Sequence, residues 1–106
     1  MTVKVYNKLV RDRIPEIIEA SGKRCDWAVL SHEDYLAALD AKLSEELAEY
    51  QESKSMEELA DLMEVIRAVI EARGHTWDEV EALRQDKAQE RGAFRKRIVL
   101  RSIEAR

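Results

Sequence analysis

A chain of 106 residues suffices for one domain with a modest core and is too short for two that fold independently, so residues 1–106 read as a single domain. With 45% hydrophobic and 38% charged residues, three glycines and one proline, the composition excludes disorder and favours helices. The net charge of −4 conceals a division, because nine acidic side chains stand against two basic ones from Asp40 to Glu64, and eight basic against three acidic from Arg84 onward. An acid field beside a basic tail argues against a nucleic-acid partner and suits a site that holds cations and phosphates together.

No apolar run approaches the roughly 20 residues of a membrane span, and the charged start lacks the apolar region of a signal peptide. These features predict a cytoplasmic protein with no membrane partner. Cys25, the single cysteine, has no internal disulfide partner and reads as a packing residue.

In chain order, Pro15 at a helix start, followed by Ile17 and Ile18 and the Ser21-Gly22 stop, predicts a first helix of about two turns. Rough alternation with β-formers over 24–30 predicts a strand. Ser31 and Asp34 resemble an N-cap with an acidic first turn. Leu36, Leu39, Leu43, Leu47 and Tyr50 then share one face of a helix of about five turns, broken at Ser53-Lys54-Ser55. Ser55-x-x-Glu58 is a capping box for the next helix, with the stripe Leu59, Leu62, Met63, Ile66, Val69 and Ile70 before Gly74. So short a connection predicts antiparallel neighbours. Thr76-x-x-Glu79 opens a last helix reaching about Gly92, and the β-branched, basic segment 94–103 reads as a second strand pairing with the first. The expected fold is all-α, an antiparallel helical bundle with room for a small two-stranded β-ribbon.

The chemistry lies in the carboxylates. Residues three apart share a helix face, so Glu46 and Glu49 point together from one helix, as do Glu58 and Asp61 from the next. In an antiparallel hairpin centred near Ser53 and Lys54, position 46 lies level with 61 and 49 with 58. Four carboxylates at the rim of a core repel one another unless a cation joins them, and hard oxygen donors suit Mg²⁺ or Mn²⁺. Against this stands an ordinary reading, in which Glu58 serves the Ser55 cap and Glu45, Glu52 and Glu57 belong to a solvated face.

Glu45-Glu46-Leu47-Ala48-Glu49 followed by Glu58-Leu59-Ala60-Asp61 resembles the EExxE and ExxD signature of the all-α NTP pyrophosphohydrolase superfamily, which includes MazG, dimeric dUTPases and phosphoribosyl-ATP pyrophosphohydrolases. The opening Tyr6-Asn7-Lys8-Leu9-Val10-Arg11-Asp12-Arg13-Ile14-Pro15 resembles a short MazG-like branch of that superfamily. The gap between the two carboxylate motifs is shorter here than is usual there.

The resemblance implies Mg²⁺-dependent hydrolysis of a nucleoside triphosphate, a non-standard one in particular, to a monophosphate and pyrophosphate. Glu46, Glu49, Glu58 and Asp61 would hold the metal, with Mn²⁺ an alternative, and Glu45 would orient or deprotonate the attacking water. Lys87 and Arg91, four apart on one helix face, and Lys8, Arg11 and Arg13 of the amino-terminal block are the expected phosphate-binding cations. Trp27, Trp77 and Tyr50 read as core residues before base-flanking ones. Action on phosphoribosyl-ATP or dUTP, or a non-catalytic helical interaction module, remain the alternative functions. Short helices with exposed apolar stripes predict a homodimer or a higher homo-oligomer.

Overall fold

The computed structural model describes residues 2–105 and is all helical. Its elements are α1 (Ile14–Ala20), α2 (His32–Ser53), α3 (Met56–Ala72) and α4 (Trp77–Arg91).

Short-range capping chemistry accounts for the helix boundaries. Ser31 Oγ accepts from the Asp34 backbone N–H at 3.2 Å, Ser55 Oγ from Glu58 at 3.3 Å and Thr76 Oγ1 from Glu79 at 3.2 Å. Each hydroxyl satisfies a backbone donor that a first turn otherwise leaves unpaired, while acidic residues in the same turns complement the helix dipole. Helix α3 ends in a Schellman motif: Gly74 sits at φ +84°, its N–H donates to Glu71 O, and His75 N–H donates to Ile70 O, both at 3.0 Å. Helix α2 ends at Lys54, a non-glycine residue in the left-handed region (φ 59°, ψ 19°) whose N–H donates to Tyr50 O at 2.7 Å.

Helix α2 packs against α3, which α4 covers in turn; α1 packs on none of the other helices. Among the described residues, only Leu39 and Ile70 are buried apolar side chains. The radius of gyration is 19.0 Å, against about 13 Å for a compact domain of this length. Between α3 and α4 lies an open groove of about 360 Å³, lined chiefly by Met63, Ile66, Ile70, Trp77 and Val80. Among the described residues, no helix is long and apolar enough to cross a membrane.

Two expectations need correction. Segments 24–30 and 94–103 form no strand among the described residues, so there is no ribbon. β-Propensity marks a chain that tolerates extension, whereas a ribbon also requires two distant segments to meet, and an isolated two-stranded ribbon is marginal in water. Trp27 is 61% exposed and lies outside any core, since the strand that would have turned it inward is absent. Cys25 is half-buried. Its Sγ lies 3.8 Å from Pro15 O and 3.7 Å from Glu19 Oε1, and burial, reinforced by the Glu19 carboxylate, pushes the thiol up.

Candidate metal centre

Two residues, Lys54 and Ser55, separate α2 from α3, and the Ser55 cap sets where α3 begins. This local chemistry fixes the phase of Glu58 and Asp61, which lie in the first two turns of α3, against Glu46 near the end of α2.

The carboxylates form two overlapping sets. Oxygens of Glu45, Glu46 and Glu49 lie within 4.8 Å of one another, and so do oxygens of Glu46, Glu58 and Asp61. Glu46 belongs to both. The four residues expected to converge therefore meet as a pair of triads sharing one member, with Glu45 drawn in beside them. Glu46 faces both Glu58 and Asp61 across the helix pair, whereas Glu49 groups with its own helix.

Glu46 is the pivot energetically as well. It is 6% exposed and is the only buried charged residue described. Its Oε1 lies 3.3 Å from Lys42 Nζ, one turn earlier on α2, while its Oε2 is buried without a partner, as is Glu58 Oε2. Burial pushes the Glu46 carboxyl above the usual range, and the nearby Glu49 adds to that against the opposing pull of Lys42. An orphaned buried carboxylate oxygen costs about 1–3 kcal/mol or more. Two of them among converging carboxylates form a donor set that could hold a cation. The oxygens are hard donors and fit a divalent ion of the Mg²⁺, Mn²⁺ or Ca²⁺ type.

Glu45 has a different setting. Lys8 Nζ lies 3.2 Å and Lys42 Nζ 3.5 Å from its Oε1. Burial raises this carboxyl, but the Lys8 hydrogen bond and the Lys42 charge together outweigh it, so the group sits below the usual range. Asp61 is paired at 2.7 Å with Arg11 Nη2.

The expected phosphate-binding cations divide into two groups. Lys8 and Arg11 reach the cluster, where they contact carboxylates, and Arg13 pairs with Glu16 at 3.4 Å. Lys87 and Arg91 are exposed on α4, a helix that packs on α3 alone, and they form no ion pair among the described residues. His75 Nδ1 lies 2.9 Å from Glu79 at the start of α4, Lys54 Nζ 5.6 Å from the Tyr50 ring centroid, and the Arg67 guanidinium 5.7 Å from that of Trp77. Lys42 was not among the expected site residues. Its signal is present nevertheless: a lysine three and four positions before two adjacent glutamates reaches both on one helix face.

No family model matches the chain, and no solved structure matches it. Over 42 residues the chain is 62% identical to an uncharacterised protein of Mycolicibacterium smegmatis, a match covering 40% of this chain and 43% of that protein. The chain thus spans less than half the length of that relative.

Proposed function

We propose that this protein is a Mg²⁺-dependent nucleoside-triphosphate pyrophosphohydrolase, acting between the α and β phosphates and releasing a monophosphate and pyrophosphate. The observation that carries the reading is Glu46, a buried carboxylate shared by two triads with one oxygen unpartnered. The EExxE and ExxD resemblance supplies the reaction.

Glu46, Glu49, Glu58 and Asp61 would hold the ion. When bound, Mg²⁺ supplies charge neutralisation at phosphate oxygens and acidifies water. Glu45 is held ionised by Lys8 and Lys42, which makes it a weak base. Its role is therefore to accept a hydrogen bond from the attacking water and orient it. Lys8 and Arg11 are near enough to the cluster to turn from carboxylates to a polyphosphate, and Lys87 and Arg91 would reach a nucleotide only from α4. A cytoplasmic location belongs to the same proposal. The exposed apolar groove between α3 and α4 and the wide radius of gyration support assembly into a homodimer or higher homo-oligomer.

A second reading, a non-catalytic helical interaction module, is favoured by the way Lys8, Lys42 and Arg11 already neutralise part of the cluster. A panel of nucleoside triphosphates that includes dUTP and non-standard bases, together with phosphoribosyl-ATP, assayed with Mg²⁺ for monophosphate and pyrophosphate, separates the two. Pyrophosphate release supports the enzyme and its preferred substrate names the branch. Orthophosphate release would show that a different bond is cut, and no turnover of any substrate favours the module.

A further inference from the structure

Two cations of one segment meet the carboxylate cluster from outside. Lys8 contacts Glu45 on α2 at 3.2 Å and Arg11 contacts Asp61 on α3 at 2.7 Å, three positions apart in a stretch without regular structure. The segment therefore ties the two helices together across the triads that share Glu46. Its side chains are 55% and 56% exposed, so neither contact is locked by packing. If all are ionised, Glu45, Glu46, Glu49, Glu58 and Asp61 against Lys8, Arg11 and Lys42 leave a local charge of −2, which one dication cancels.

We propose that Lys8 and Arg11 make the site select a divalent cation carried by a polyphosphate over the bare hydrated ion. The inference rests on the carboxylates being metal ligands. A bare dication taking an Asp61 oxygen displaces Arg11 into water, and its charge beside Glu45 repels Lys8 as well. A dication arriving on a polyphosphate brings anionic oxygens that the displaced side chains can engage, and the guanidinium fork of Arg11 fits a phosphate as well as a carboxylate. Each contact changes partner, and only the second exchange conserves the charge pairing. The same two residues thus oppose the free ion and favour the complex.

The test is Mn²⁺ binding to the full chain, followed by electron paramagnetic resonance of the free ion, with and without a nucleoside triphosphate bearing an imido group between the α and β phosphorus atoms. Lys8→Gln/Arg11→Gln should bind bare Mn²⁺ roughly three- to ten-fold tighter than the parent, the range expected for two exposed pairs, and the Mn²⁺–nucleotide complex several-fold weaker. Arg11→Lys, which keeps the charge and loses the fork, should leave bare Mn²⁺ unchanged and weaken the complex. Bare Mn²⁺ binding no tighter in the double variant overturns the inference. Glu49→Gln separates the two levels: if it loses Mn²⁺ while the double variant gains nothing, the selectivity alone fails, and if it binds Mn²⁺ as the parent does, the metal reading falls as well.

Discussion

Lys42 Nζ stands 3.3 Å from Glu46 Oε1, an i to i+4 pair in which the carboxylate is buried and the ammonium only partly exposed. Among the described residues the contact is the sole ion pair of Glu46; it holds one oxygen and leaves the other without a partner. Removing one partner of a buried pair strands the other. Lys42→Met is therefore expected to lower stability by about 1–3 kcal/mol, and adding Glu46→Gln should restore part of it. Urea denaturation of the two singles and the double checks this, and strict additivity would show that the pair does not couple.

Glu49→Gln and Asp61→Asn are expected to abolish Mg²⁺-dependent pyrophosphate release with the helical content intact. Neither side chain supports the core, so circular dichroism should not change. Undiminished turnover in both variants would remove the assignment of the carboxylates.

The pH dependence of stability, measured without divalent ions, should carry opposite signs for neighbouring glutamates. Glu46 is raised in the folded chain, so the native state binds more protons than the unfolded state between the ordinary glutamate value and the raised one. Its contribution thus turns unfavourable as pH rises through that window. Glu45 is lowered, so it contributes stability above the ordinary value that is lost as pH falls through its folded value. Relative to the parent, Glu46→Gln should gain stability as pH rises above the ordinary glutamate value, and Glu45→Gln should lose it. Parallel pH curves for the two variants would contradict the assignment.

Sedimentation at micromolar concentration should show a dimer or larger species. Met63 is 54% exposed on the groove that α3 and α4 leave open, and Met63→Lys should shift the equilibrium toward monomer. A parent chain that sediments as a monomer would remove the oligomer from the proposed function.

Ser55→Ala should cost about 1 kcal/mol and Ser55→Gly only a few tenths, the usual ranking for a capping hydroxyl. Thermal unfolding of the two variants, compared at matched pH, tests this ranking.

The helices were legible because their signals are local. Ser31, Ser55 and Thr76 each act on a backbone group three residues away, and the stripe from Leu59 to Ile70 repeats within a single helix. The meeting of Glu46 with Asp61 was legible for the same reason, since a two-residue joint leaves little freedom between helices. The contacts of Lys8 with Glu45 and Arg11 with Asp61 were not, because they join positions 37 and 50 residues apart, and no periodicity encodes the landing place of an irregular segment. The ribbon over 24–30 and 94–103 failed on the same ground, since local propensity fits extension without supplying a distant partner.

The joint at Lys54 and Ser55 also behaves as a gear setting. One residue added within α3 ahead of Glu58 turns every later side chain by about 100°, carrying Asp61 away from Glu46 while sparing both helices. Among the described residues, the segment between α1 and α2 and the one after α4 make no ion pair with the cluster. Tolerance to insertion should thus be lowest at this unremarkable surface turn, where a length change takes the cluster and the Leu59–Ile70 stripe out of register together.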